Sequence, residues 1–196
     1  MKSCETSVDL AVEHLRQGHI VAFPTETYYG LAVDPDNQSA VERLFALKNR
    51  PVDKPLLLLI ENTTQLRNLV SMVPQDFKPL MDKHWPGPLT LVFPALDSVS
   101  PKITAGSKTV GVRISPHPIA ARLVQKFGKP ITATSANLSG KPPAKTALEI
   151  STMFVSDIDF ILDGGETTAG LCSTIVGLKG SQLIVIRQGE IDIFAA

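Results

Sequence analysis

Basic side chains stand beside hydroxyls and prolines at several points of this chain. They are Lys48, Arg50 and Lys54 in "LKNRPVDKPL", Arg113 in "TVGVRI", Lys141 after "TSANLSG" and Arg187 in "LIVIR". Thr, Ser, Pro and Gly crowd the loops "FPTETYYG", "HWPGPLT", "TATSANLSGKPP" and "GLCSTIVG". Guanidinium forks match phosphate and carboxylate bidentately, so cations converging on such loops suit a polyanion with a carboxylate close by. For any one loop the alternative is ordinary turn chemistry, and for any one cation a solvated head on a packed stem. Hydroxyls and free amides at several strand ends together favour a ligand cleft.

Other chemistries lack their residues. Neither G-x-x-x-x-G-K-[ST] nor G-x-G-x-x-G occurs, so no P-loop or dinucleotide fingerprint is read. His14, His19, His84 and His117 have no i, i+4 pairing, and no metal ligands are expected. There is no G-x-S-x-G elbow, and Cys172 has no histidine near it in sequence, so it reads as a small, partly buried residue. Pro51 and Pro55 end the preceding helix near Asn49 and stiffen the turn. Lys48 and Arg50 then either face phosphates or complement the helix dipole. Trp85 reads as packing against the Pro-Gly-Pro turn, with base stacking as the alternative.

Alternating strands and helices must position these residues. Val8, Ala11, Val12 and Leu15 recur at helical spacing up to a stop at Gly18, and "IVAF" at 20–23 reads as a buried strand. A second helix starts near Asp36 or Asn37 and buries Val41, Leu44, Phe45 and Leu47, followed by the strand "LLLLI". Further strands are expected at 89–93, 109–114, 130–134, 160–162, 173–176 and 183–187, with helices at about 62–70, 75–84, 117–127 and 146–154. Arg113 and Arg187 follow β-branched runs, so their heads are expected at a sheet edge or rim. The alternation predicts an α/β sheet with flanking helices.

With 196 residues, 43% of them hydrophobic, the chain suits one domain over 1–196 with a sizeable core. Lys plus Arg and Asp plus Glu balance at 19 each, which excludes a globally basic nucleic-acid binder; any anion site must be local. The two cysteines fit a reducing compartment, and cytoplasm is the expectation. The longest apolar run, Leu56 to Ile60, is far below membrane-spanning length, and the N-terminus lacks a signal-peptide core.

The motifs "FPTETYYGLAVD", "LKNRPVDKPL", "WPGPLTLVFP", "VGVRISPHPIA", "ITATSANLSGKP" and "STIV" followed by "VIRQGEI" occur in this order between about residues 20 and 190. Together they resemble the YrdC/TsaC family of threonylcarbamoyl-AMP synthases, in its short, single-domain form. The resemblance implies a YrdC-like fold, an open, twisted, mixed α/β sheet with a concave basic cleft. It implies that L-threonine, bicarbonate or CO2, and ATP give threonylcarbamoyl-AMP and pyrophosphate, with Mg2+ on the phosphates. A TsaB/TsaD-type transferase complex would then pass the group to tRNA.

By the same resemblance Lys48 and Arg50 are the catalytic basic pair facing the nucleotide phosphates. Lys54, Thr109, Ser135, Asn137 and Arg187 are further ATP contacts. Thr27, Arg113, Ala133 and Ser173 form the threonine pocket, with Arg113 on the carboxylate. Glu26 is either a base for the amine or a local cap. Tyr28 stands where a small aliphatic residue is commoner in the family, and Gly177 where aspartate is frequent. The alternative is a non-catalytic RNA-binding module using the same cleft, which few aromatic platforms and zero net charge disfavour.

Overall fold

The computed structural model describes residues 2–155, 157–168 and 170–195, with side chains from residue 7 onward. Helix α1 (Lys2–Arg16) ends before Gly18 and leads into β1 (Val21–Phe23), which turns through the "PTETYY" loop into β2 (Gly30–Ala32). Helix α2 (Gln38–Leu47) is capped by Asn37, whose Oδ1 accepts from Ala40 N at 3.1 Å. Strand β3 (Leu57–Leu59) follows, then 3-10 turns at Thr63–Asn68 and Gln75–Phe77 and helix α3 (Lys78–His84). Next come β4 (Leu89–Pro94), the short α4 (Pro101–Thr104), β5 (Thr109–Arg113) and α5 (Pro118–Phe127), which starts on Pro118 with His117 as its cap. The remaining elements are β6 (Ile131–Thr132), β7 (Thr134–Ser135), α6 (Ala147–Phe154), β8 (Phe160–Ile161), β9 (Thr174–Lys179) and β10 (Gln182–Arg187).

The strands form two mixed sheets, ordered β7-β2-β1-β8 and β10-β9-β4-β5-β3-β6. The α/β class with open sheets and flanking helices is therefore as expected, but the strand read at 130–134 is divided between the sheets. Residues 131–132 pair with β3 and residues 134–135 with β2, while Ala133 N donates to Leu57 O at 2.8 Å. Thr132 ties the same junction from the other side, its N to Val33 O at 3.1 Å and its Oγ1 accepting from Val33 N at 2.9 Å. One core cluster draws on both sheets, with Ala22, Leu31, Leu58, Leu91 and Val112 all buried. A second joins Val8, Ala11, Val12 and Leu15 of α1 to Leu123, Val124 and Phe127 of α5. Burial of these helical stripes supplies the main driving force for docking α1 and α5.

Residues 63–68, expected within an α-helix, form a 3-10 turn that buries Leu66, because Asn62 Oδ1 accepts from Thr64 N and tightens the start. Strand β2 was hidden inside a segment that reads as turn, yet all three of its residues are buried. Trp85 packs as expected: its ring tilts on Phe93 at 6.1 Å and its Nε1 donates to Leu89 O at 2.7 Å, beside the cis peptide Trp85-Pro86. Among the described residues no helix is long and apolar enough to cross a membrane.

Candidate active site

The two sheets and their loops enclose a cavity of about 390 Å³. Of the residues singled out in the sequence, Thr27, Arg50, Lys54, Thr109, Arg113, Ala133, Ser135, Ser173 and Arg187 line it. They come from the β1–β2 loop, the α2–β3 turn, both ends of β5, the crossover between sheets, and the facing ends of β9 and β10. Thr25 and Ser107, which the sequence left unassigned, line it too, as do Tyr28, noted as a departure from the family pattern, and Cys172, read as a small, partly buried residue.

The α2–β3 turn sorts its cations by backbone geometry. Asn49 adopts a left-handed φ of 47°. Asn49 N donates to Ala46 O and Arg50 N to Phe45 O, each at 3.0 Å, the two bonds of a Schellman motif with Lys48 as the helix cap. Lys48 and Arg50 therefore leave in different directions. Arg50 reaches the cavity, its Nη2 held by Pro55 O at 2.7 Å and its Nε by Lys54 O at 3.3 Å. Lys48 turns inward and is 1% exposed.

Lys48 and Asn137, expected to face the phosphates, are not among the residues that line the cavity. Lys48 Nζ donates to Ser135 O, to Asn137 O at 2.7 Å and to Asn137 Oδ1 at 3.0 Å, while Lys48 O accepts from Ser139 N at 2.9 Å. Ser135 Oγ donates to Asn137 Oδ1 at 2.6 Å. Lys48 thus fastens the Ser135–Ser139 loop from behind, and Ser135 shows its face to the cavity. Lys141 holds that loop through its carbonyl, which accepts from Asn137 Nδ2 at 2.6 Å.

Arg113 is also more enclosed than a rim residue, at 7% exposed, because a carboxylate accompanies it. Its Nη1 lies 2.9 Å from Glu26 Oε1 and donates to Thr27 Oγ1 at 3.5 Å. Ser115 Oγ donates to the other Glu26 oxygen, Oε2. Thr25 Oγ1 sits 3.1 Å from Thr27 Oγ1 and donates to Tyr28 O at 2.6 Å, which fixes the "PTET" loop over Arg113. Glu26 is the partner that sequence reasoning undervalued; its signal was an acid flanked by threonines ahead of a buried strand.

Arg187 reaches the rim as expected. Its Nη2 donates to Ser173 O at 2.7 Å and to Ser173 Oγ at 3.0 Å, and Thr90 Oγ1 lies 3.1 Å from that hydroxyl. Gly189 allows this approach: a Cβ there would sit 2.2 Å from Cys172 O and 2.5 Å from Ser173 C. Gly189→Ala is expected to destabilise the fold by roughly 1–3 kcal/mol, as overpacking does. Urea denaturation checks this, and unchanged stability would show that β9 can retreat freely.

The guanidinium groups feel one another across the cavity. Burial, with the Arg187 charge, lowers the Arg50 pKa. Burial lowers that of Arg113, Glu26 opposes this, and Arg187 adds to it. Burial first and the Arg50 charge second bring Lys48 from 10.5 down to about 7. Three guanidiniums around one compact space, with Glu26 as the adjacent carboxylate, leave an excess of positive charge that an anion would relieve.

A family model described as Sua5_yciO_yrdC, telomere recombination, matches residues 13–189. The chain belongs to the Sua5/YciO/YrdC family. Within that family it is 40% identical over 189 residues to the threonylcarbamoyl-AMP synthase of Pyrococcus abyssi, covering 96% of this chain and 56% of that protein. The corresponding protein of Vibrio vulnificus is 41% identical over 186 residues, covering 94% of this chain and 99% of the relative. The solved structure of P. abyssi Sua5 complexed with L-threonine superposes with a TM-score of 0.89 at 41% identity, over 93% of this chain and 54% of that one. The chain therefore spans about half the length of the P. abyssi family member and nearly all of the V. vulnificus one.

Proposed function

We propose that this family member makes L-threonylcarbamoyl-AMP and pyrophosphate from L-threonine, bicarbonate or CO2, and ATP. The observation that carries the reading is the meeting of Arg50, Arg113 and Arg187 at one cavity that hydroxyl residues such as Thr27, Thr109, Ser135 and Ser173 also line. Relatives named for this activity, and the P. abyssi Sua5 complex with L-threonine, support it.

Each reagent finds a chemical complement. Arg113, with Thr27, Ala133 and Ser173 around it, suits the threonine carboxylate; Arg50, Lys54 and Arg187, with Thr109 and Ser135, suit the triphosphate. The amine of threonine adds to CO2 and loses a proton, giving a carbamate. A carbamate oxygen then bonds to the α-phosphorus as the bond to the bridging oxygen breaks, and pyrophosphate leaves with that electron pair. Positioning and charge stabilisation suffice for both steps, with no covalent enzyme intermediate. In this scheme Lys48 and Asn137 act as positioning residues, holding Ser135. The cavity wall offers cations and hydroxyls rather than clustered carboxylates, so Mg2+ would arrive on the triphosphate. The shared core of the two sheets supports reading 1–196 as one domain. A cytoplasmic setting and hand-over to a TsaB/TsaD-type complex acting on tRNA belong to the same proposal.

The test is threonine-dependent release of pyrophosphate from ATP and bicarbonate, with the adenylate identified by mass. No threonine dependence, together with tight RNA binding, would instead favour the RNA-binding alternative. Arg50→Ala is expected to cut turnover at least ~10-fold, as loss of one charge-stabilising donor does. Near-normal turnover in that variant would leave Arg50 as a helix-end group only.

A further inference from the structure

Tyr28 and Tyr29 are consecutive in the "PTETYY" loop, and both line the cavity. Tyr29 is fully buried; its hydroxyl donates to Gly165 O at 2.8 Å and accepts from Gly164 N at 3.1 Å. Tyr28 lines the cavity, and its hydroxyl donates to Gly170 O at 2.9 Å. The two rings therefore grip the β8–β9 connection near both of its ends. Among the described residues, the Tyr28 bond is the one hydrogen bond made by residues 168, 170 and 171, and Leu171 is largely exposed. The backbone next enters Cys172 and Ser173, both on the cavity wall, with Cys172 in electrostatic reach of Arg113. Tyr28 is itself fixed through its carbonyl by Thr25, which also meets Thr27 beside Arg113.

We infer that Tyr28 is a specificity-determining residue for the amino acid: its side chain forms part of the cavity wall, and its hydroxyl, on Gly170 O, holds the chain leading to Cys172 and Ser173 in place. This rests on the synthase reading, in which Arg113 takes the amino-acid carboxylate. A closed apolar wall discriminates against one added methylene by roughly 10–200-fold, because the larger side chain must displace packed atoms. Removal of the ring opens that space. Removal of the hydroxyl alone keeps the ring and frees the wall.

The experiment compares the intact chain with Tyr28→Phe and Tyr28→Ala, using threonine and β-hydroxynorvaline, which is threonine extended by one methylene. Steady-state constants for both amino acids and for ATP are measured, with calorimetric amino-acid binding and thermal melting in parallel. The unaltered chain is expected to prefer threonine at least ~10-fold in kcat/KM, and Tyr28→Ala to reduce that preference below about 3-fold. Tyr28→Phe is expected to keep the preference while the threonine KM rises several-fold and the ATP KM stays put. If Tyr28→Ala melts early, Tyr28→Val carries the same comparison. An unchanged preference in a folded Ala or Val variant overturns the inference, as do threonine and ATP constants that shift together. If the unaltered chain neither binds threonine nor releases pyrophosphate with it, the synthase reading fails first and takes this inference with it.

Discussion

Arg113→Ala is expected to lower kcat/KM for threonine by roughly 30- to 4,000-fold, because truncating one partner of a buried charge pair costs about 2–5 kcal/mol and each ~1.4 kcal/mol is tenfold. The guanidinium is nearly enclosed, and its compensating charge is Glu26 at 2.9 Å. Two effects of the substitution separate cleanly. In the proposed reaction the amino acid loses its carboxylate partner; in the fold Glu26 becomes a buried charge without a counter-ion, which costs roughly 3 kcal/mol or more of stability. Adding Glu26→Gln to Arg113→Met removes both charges and is expected to recover most of the stability but none of the threonine use. Parallel melting and kinetics on the single and double variants read the two effects apart. A raised ATP KM with an unchanged threonine KM would move Arg113 to the nucleotide side of the cavity.

Lys48→Met is expected to destabilise the protein by about 2 kcal/mol or more, since each buried acceptor deprived of its donor costs roughly 1–3 kcal/mol and loss of a buried charge offsets only part. Turnover is expected to fall about 10²-fold, because a displacement near 1 Å at a positioning loop costs that much. The acceptors are Ser135 O, Asn137 O and Asn137 Oδ1. They ask for three N–H donors, which the ammonium has and the neutral amine lacks.

The sign of the pH effect follows from the depressed value, 10.5 falling to about 7. Between these values the unfolded chain binds a proton at Lys48 that the folded chain does not, so this group makes stability rise with pH from about 7 toward 10.5. Below about 7 both states are charged, and that increment is absent. The difference in unfolding free energy between the unaltered chain and Lys48→Met should therefore grow from pH 7 to 9. A flat difference would show that Lys48 stays charged throughout. A raised ATP KM with normal kcat and melting would show that Lys48 reaches the phosphates after all.

Much of the scaffold was legible because its signals are local. The α1 stripe, the Asn37 cap, Pro118 at the start of α5 and the β-branched runs of β4, β5 and β10 each declare themselves within a few residues. Strand β2 was not legible, since its three buried residues follow a hydroxyl turn whose chemistry dominates the segment. Among the site residues, Arg50 and Arg187 could be placed from the elements they follow or end, whereas Thr109 came with the family resemblance alone. The inward course of Lys48 depends on the left-handed Asn49, a conformation asparagine tolerates, so a signal existed but not its consequence. The Arg113–Glu26 pair joins two distant parts of the chain through tertiary packing, and nothing in local spacing encodes it.

The crossing at Ala133 has a mechanical meaning. Ala133 is itself on the cavity wall, and its neighbours on either side belong to different sheets. In the proposed reaction, the span between an amino-acid side and a phosphate side is set like the opening of a caliper, at its pivot. In that scheme the distance a carbamate must bridge to reach phosphorus is calibrated by the backbone where the two sheets meet.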